Sequence, residues 1–289
     1  MDIDGDGHLD ILSGSYSRME QDMAGLFQVL YGNGDGTFRK AEVLKGTDGK
    51  PLIIPAQGDA QLTEKICTRP FAVDWDGDGH LDLVVGNFAG TFYWFKGEGK
   101  GRFRPTPEII KSGGEPLRIK GNHSDPFVID WDGDGDLDLL SGSSDGGVQW
   151  AENIAGKGKP PVLRPFQVLI KPGRPIEYGQ PLNEEELTGP TTSTRIWVAD
   201  VNGDGKLDLL VGDSVTLISP AKGVSAEEFK KKFAAWQKAV EAVSKELSSE
   251  KADQAKRTKA NEEFNKLYKQ RTEFMKEERT GFVWLYLQK

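Results

Sequence analysis

Cysteine is almost missing from this chain. Cys67 is the only one in 289 residues, so no internal disulfide can staple the fold, and it reads as a structural, partly buried thiol. No apolar run approaches the roughly 20 residues that a membrane-spanning helix needs. Only three histidines occur. There is no GxSxG, no HExxH and no phosphate-cradling glycine loop at a helix start, so no catalytic residue is assigned. His123 precedes Ser124 and Asp125, but a turn before Pro126 explains that run better than a triad does. Positive charge is in deficit, with 37 Lys and Arg against 45 Asp and Glu and a formal charge of −8. That balance argues against a partner read through its phosphate backbone, so no nucleic acid is expected.

What the chain has in abundance is glycine and aspartate in one arrangement. DIDGDGHLDIL starts at Asp2, DWDGDGHLDLV at Asp74, DWDGDGDLDLL at Asp130 and DVNGDGKLDLL at Asp200. Each stretch puts oxygen-bearing side chains at positions 1, 3, 5 and 9. These are Asp2, Asp4, Asp6 and Asp10; Asp74, Asp76, Asp78 and Asp82; Asp130, Asp132, Asp134 and Asp138; and Asp200, Asn202, Asp204 and Asp208. A hard cation such as calcium takes about six to eight oxygens, which alternate residues supply when glycine lets the chain turn sharply between them. Position 7 holds His8, His80, Asp136 and Lys206. Side chains so different share no ligand role, so the backbone carbonyl is the expected donor there. Plain Asp-Gly turns would account for one such stretch. Four with the same spacing, and with carboxylates that repel when uncompensated, point to up to four bound calcium ions.

These are not EF-hands. Position 12 is Ser13, Val85, Ser141 and Val211, never the bidentate Glu that an EF-hand requires. The loops run into LDILSG, LDLVVG, LDLLSG and LDLLVG, and three are preceded by PFAVD, PFVID and RIWVAD. Short apolar runs ending at glycine read as strands, so each loop joins two strands.

The pattern DxDxDGxxD followed by a short apolar strand and glycine resembles the FG-GAP or VCBS repeat. That family includes calcium-bearing β-propellers such as integrin α-subunit heads and many secreted bacterial proteins. The resemblance covers about residues 1–215 and returns at 280–289. It implies propeller blades with calcium loops, and it leaves the ligand open, since the family hosts adhesion modules, lectin-like binders and some polysaccharide lyases. Asn202 departs from the pattern: the oxygen is kept and a charge is lost, so the fourth loop is expected to be the weakest.

Spacing carries the organisation further. Motif starts lie 72, 56 and 70 residues apart. Aromatic strands follow each loop strand, at GLFQVLYG from Gly25, GTFYWFKG from Gly90, GGVQWAEN from Gly146 and GFVWLYLQ from Gly281. GNGDGTF (32–38) and GEGKGRF (97–103) read as hairpin turns. Polar links near 43–70, 108–125 and 164–195 are expected to lead into each next inner strand. Gly86 and Gly142 each lie eight residues before Trp94 and Trp150, whereas Gly212 lies 72 before Trp284. About 64 residues are therefore inserted in the fourth repeat. Ser225 and Glu228 form a capping-box signature, and Phe229, Phe233, Trp236, Val240, Val243 and Leu247 follow at helical spacing. Phe264, Leu267, Tyr268, Phe274 and Met275 make a second stripe. One helix over 226–278 would be about 80 Å long at 1.5 Å per residue, yet its ends return to neighbouring strands, so a hairpin turning near 248–253 is required. Residues 225–279 carry 14 Lys and Arg against 11 Asp and Glu, a solvated helix surface.

The reading is an all-β fold, a partial β-propeller of about four blades with an inserted helical hairpin. Residues 1–219 form the blades, 220–279 the insertion and 280–289 the returning strand. Met1 stands directly before the first ligand and Lys289 after a third strand, so both ends read as cut. The expected role is a secreted or cell-surface recognition or adhesion module for a protein or carbohydrate ligand. It would be extracellular, periplasmic or at the cell surface, where millimolar calcium suits loops of this kind. The rival is a secreted carbohydrate-active enzyme, lyase-like, with Arg118, Lys120, His123, Arg174 and Tyr178 on the long links as its candidate residues.

Overall fold

The computed structural model describes residues 1–18, 22–55, 59–175, 180–248 and 254–289, with the backbone alone at 59–61. Tyr178 and most of the expected hairpin turn near 248–253 lie outside the described residues. Two compact units emerge. One comprises Met1–Arg174, Gly189–Ser214 and Phe282–Lys289, the other Pro175–Thr188 and Val215–Gly281.

The first unit is built of four antiparallel sheets in chain order. The first holds β1 (Ile11–Gly14), β2 (Phe27–Leu30) and β3 (Glu42–Val43), and the second holds β4 (Arg69–Val73), β5 (Asp82–Gly86), β6 (Phe92–Phe95) and β7 (Glu108–Ile109). A small ribbon follows, of β8 (Lys111–Ser112) and β9 (Glu115–Pro116). The third sheet holds β10 (Asp125–Ile129), β11 (Asp138–Gly142), β12 (Val148–Ala151) and β13 (Gln167–Ile170). The fourth holds β14 (Thr192–Ala199), the first half of β15 (Asp208–Pro220) and β17 (Val283–Tyr286). The hairpin turns close as expected, with bridges Gly32 to Phe38 and Gly97 to Phe103.

The apolar runs of β5 and β11 are continuous rather than alternating because both strands are buried on both faces. Leu83 and Val85 pack with Phe27 and Val29 of the first sheet, while Val84 between them packs with Val128 and Leu139 of the third. Leu140 then points the other way, onto Ile196, Val198, Leu209 and Val211 of the fourth. The core is thus three apolar layers between successive sheets, each filled by period-two side chains.

A hydroxyl fastener repeats at the sheet junctions. Thr68 and Ser124 directly precede the first strand of a sheet, Thr194 lies near the start of β14, and all three reach back to the sheet before. Their oxygens accept the N–H of Ser15 (3.1 Å), Asn87 (2.8 Å) and Ser143 (2.8 Å). The residue before each of those amides is Gly14, Gly86 or Gly142, where a methyl group would collide with the carbonyl of Thr68, Ser124 or Thr194. Only glycine admits that approach.

In the second unit, Val215–Pro220 of β15 pairs antiparallel with β16 (Met275–Thr280), in register from Val215 opposite Thr280 to Pro220 opposite Met275. Between the two strands of this ribbon the chain forms α1 (Ala226–Leu247) and α2 (Gln254–Gln270). Ser225 caps α1 by accepting the Glu228 N–H at 3.2 Å. Phe229, Phe233 and Trp236 pack with Ile218, Phe274 and Met275, and the Trp236 indole N–H donates to the Leu267 carbonyl at 3.0 Å. The insertion is therefore not helical throughout. Phe274 and Met275, expected on the second helical stripe, fall after a short 3-10 turn (Arg271–Glu273) and at the start of a strand. The backbone groups of 275–280 pair with β15, and this outweighs the helix propensity of Lys276, Glu277, Glu278 and Arg279. The limit expected at residue 219 lies inside β15, and part of the 164–195 link (Pro175–Thr188) belongs to this unit.

Candidate metal centre

The second, third and fourth acid loops connect the first and second strands of their sheets and the first leads into β1, and the glycines of all four adopt the left-handed conformation that lets the chain double back. In the second loop Gly77 and Gly79 have φ of 76° and 88°. Asp2, Asp4 and Asp6 converge so that one oxygen from each lies within 4.8 Å of the others. Asp74, Asp76 and Asp78 do the same, as do Asp130, Asp132 and Asp134. Asp200, Asn202 and Asp204 repeat the conformation with an amide in the middle.

Backbone amides hold each cluster in shape. The position-1 carboxylate accepts from the glycine N–H groups: Asp2 from Gly5 (2.8 Å) and Gly7 (2.9 Å), Asp130 from Gly133 (2.8 Å) and Gly135 (3.0 Å), Asp200 from Gly203 (2.7 Å) and Gly205 (2.9 Å). One oxygen of each position-5 residue accepts the N–H at position 7, with His8 on Asp6 at 2.9 Å and His80 on Asp78 at 3.0 Å. Asp136 donates likewise to Asp134 (3.1 Å) and Lys206 to Asp204 (2.9 Å).

The position-9 acids do not join these groups. Asp10, Asp82, Asp138 and Asp208 are buried, and each fastens two backbone amides. One oxygen accepts the N–H at loop position 2: Ile3 (2.8 Å), Trp75 (3.0 Å), Trp131 (3.1 Å) and Val201 (3.0 Å). The other accepts from the residue just beyond the sheet's aromatic strand: Gly32 (2.9 Å), Gly97 (2.6 Å), Asn153 (2.7 Å) and Gln288 (3.0 Å). Position 9 thus rivets the loop to its own sheet, a role the spacing alone did not reveal. Burial raises the pKa of Asp82 and pushes that of Asp138 up to about 6.

Position 7 is divided in its use. The His8 and His80 rings lie over Gly34 and Gly99 of the following hairpin turns, where a β-carbon would crowd them. Asp136 goes further: one carboxylate oxygen accepts the Gly156 N–H at 2.6 Å, and the other is buried without a hydrogen-bond partner. Burial, then the carboxylates of Asp134 and Asp132, raise its pKa.

Whether these residues fit a cation is decided by the orphaned oxygens. Asp74 Oδ1 and Asp76 Oδ1 are both buried with no donor. Unpartnered carboxylate oxygens at adjacent ligand positions are costly unless a cation meets them, and an all-oxygen set suits calcium. The four loops differ in local charge. Lys96 pairs with Asp76 and, at 2.9 Å, with Asp78, which lowers the Asp78 pKa and raises that of the lysine. Arg39 stands 3.6 Å from Asp6. Around the third loop the neighbour is instead Glu152, which, after burial and the other loop carboxylates, also raises the Asp132 pKa. In the fourth, the Asn202 amide donates to Asp204 at 3.1 Å. Lys96 and Glu152 occupy matching places after the aromatic strands, a signal that aligning the repeats would have exposed.

The candidate residues of the enzyme reading go to separate partners. Arg118 binds the Ala89 carbonyl and lies 3.7 Å from Glu64. The Lys120 N–H donates to Gln149 at 2.8 Å, and His123 packs edge-on against Phe88 at 4.4 Å. Arg174 makes its own contacts. Among the described residues no helix is long and apolar enough to cross a membrane.

No curated protein matches the chain. The family model of the FG-GAP-like repeat matches residues 74–141 and 130–211, the second, third and fourth acid loops with their sheets. Residues 74–211 therefore belong to the FG-GAP-like repeat family.

Proposed function

We propose that this chain is a calcium-stabilised, propeller-type recognition module that is exported and binds a protein or glycan without catalysing a reaction on it. The observation that carries the reading is the pair of buried, unpartnered oxygens on Asp74 and Asp76 within a loop made four times over. Asp2, Asp4 and Asp6, Asp74, Asp76 and Asp78, and Asp130, Asp132 and Asp134 would hold the ions, with Asp200, Asn202 and Asp204 as the least charged set. Bound calcium would supply positive charge that relieves carboxylate repulsion and fixes the loop between two strands. Four such ions would also offset the formal charge of −8. The match to an adhesion-type repeat supports recognition, and the dispersal of Arg118, Lys120 and His123 favours binding over chemistry.

Glycan and protein arrays probed in millimolar calcium test the reading. Binding that disappears in chelator, with bound glycans recovered intact, is the expected result. New unsaturated sugar products would replace the module with an enzyme.

A further inference from the structure

Position 7 of the acid loops holds histidine in the first two, aspartate in the third and lysine in the fourth. His8, His80 and Lys206 are exposed there, whereas Asp136 is only 5 % exposed. Its backbone N–H donates to Asp134 Oδ1 at 3.1 Å, so the side chain starts beside the position-5 ligand. Oδ2 accepts the Gly156 N–H at 2.6 Å, which pins the carboxylate to the following hairpin turn. Oδ1 is buried, and no hydrogen-bond donor reaches it. The charges that act on it most strongly are those of Asp134 and Asp132, and both repel it. Those two residues and Asp130 form the cluster whose oxygens lie within 4.8 Å of one another. A carboxylate oxygen so placed is costly unless a cation meets it.

No cation of the protein does so. Among the described residues, no lysine or arginine forms an ion pair with Asp130, Asp132, Asp134 or Asp136. Lys157 lays its methylene carbons beside Gly135, and its ammonium pairs with none of the four. The place that Lys96 fills beside the second loop is taken here by Glu152, whose carboxylate is held by Arg164 at 2.8 Å. We propose, on the calcium reading of the loops, that the free Asp136 oxygen is a further donor to the ion of the third loop, which is thereby the tightest of the four and the first to fill. Ligand charge and rigidity set the affinity of an oxygen site for calcium. The third loop leads in both, because it offers four carboxylates without a competing cation and one of them is clamped to Gly156. In the second loop calcium must displace Lys96 from Asp76 and Asp78, and in the first Arg39 stands 3.6 Å from Asp6. The fourth has the neutral Asn202, with Lys206 at position 7. The chain then answers calcium in steps, with the third loop occupied at concentrations that leave the second and fourth empty.

Calcium titration calorimetry on the whole chain, joined to melts in chelator and in saturating calcium, is the test. The tightest step of the wild-type isotherm should vanish in D132A, which assigns it to the third loop, and should weaken about tenfold in D136N. D136N should also melt higher than wild type in chelator, because a buried unpartnered charge is gone, and that gain should disappear in calcium. An aspartate that only braces Gly156 would give another pattern. D136N would then melt lower in both conditions and bind calcium as the wild type does, which would overturn the proposal. D136H puts at this place the residue of the first two loops; it carries the affinity comparison if D136N does not fold, with the same loss expected and unchanged affinity counting against the proposal. A tightest step that survives in D132A would overturn it as well. A wild-type chain that binds no calcium at all would bring down the calcium reading of all four loops, whereas unchanged affinity in the variants would remove the role of Asp136 alone.

Discussion

A lysine decides how one of these loops behaves without metal. Lys96 Nζ lies against Asp76 and Asp78, occupying with one positive charge the place a divalent ion would neutralise with two. Removing a competing ammonium in contact with the site is worth well over 1 kcal/mol even at an effective dielectric of about 20. K96M is therefore expected to tighten calcium at the second loop about tenfold, read by titration calorimetry or by terbium luminescence sensitised through Trp75. Unchanged affinity would contradict the counter-ion role. Asp138 makes a second residue-scale prediction. Its folded pKa of about 6 stands above the ordinary 3.8 because burial disfavours the charged carboxylate. The native state then binds the proton more tightly than the unfolded chain does, so in chelator this group stabilises the fold below about pH 4 and loses that contribution as pH rises through 6. A carboxyl carbon NMR titration in chelator should find the midpoint near 6, and a midpoint near 4 would refute the burial argument. The acid loops were legible in the sequence because their spacing is local. The second use of position 9 was not, since the amides of Gly32, Gly97, Asn153 and Gln288 lie 15 to 80 residues away.

At the level of elements, the junctions rest on small groups with large consequences. The Ser124 hydroxyl is wholly buried, accepts the Asn87 N–H and donates to the Thr91 carbonyl, both at 2.8 Å. Changing Ser124→Ala leaves both groups without a partner and is expected to cost about 1–3 kcal/mol. For a domain of this size that lowers the melting temperature by roughly 2–4 °C per kcal/mol. A change below one degree would show that water replaces the hydroxyl. The strands and hairpins were readable from apolar runs bounded by glycine, and α1 from its cap and its seam. β16 was not, because KEERT has the composition of a helix and its strand conformation comes from pairing with residues about 60 positions earlier. The insertion nevertheless leaves and returns at adjacent points of the fourth sheet. Phe282 N–H donates to the Asp213 carboxylate at 2.9 Å, and the Asp213 N–H donates to the Phe282 carbonyl at 3.0 Å. Deleting 215–281 and joining Ser214 to Phe282 through two glycines should preserve the β signal in circular dichroism and a cooperative melt. Loss of both would mean that the first unit does not fold without the second.

In the proposed reading, bound ions and the fold of the whole molecule are coupled. Three of the acid loops bridge two strands and the first leads into β1, each sheet is buried against the next, and the position-9 rivets link loop to sheet, so repulsion left in one cluster would strain the stack that depends on it. Stabilisation by an ion bound only to the native state grows as RT ln(1 + [L]/Kd), about 2.7 kcal/mol for each site at a hundredfold excess over Kd. Several loops filled in millimolar calcium should therefore raise the melting temperature by many degrees. The most direct measurement combines calcium stoichiometry by titration calorimetry with thermal melts in chelator and in calcium, for the whole chain and for D76A. The account predicts up to four ions bound, a melting temperature at least 5 °C higher in calcium, and a D76A loss confined to the calcium condition. No bound calcium, with identical melts in chelator and in calcium, would contradict it.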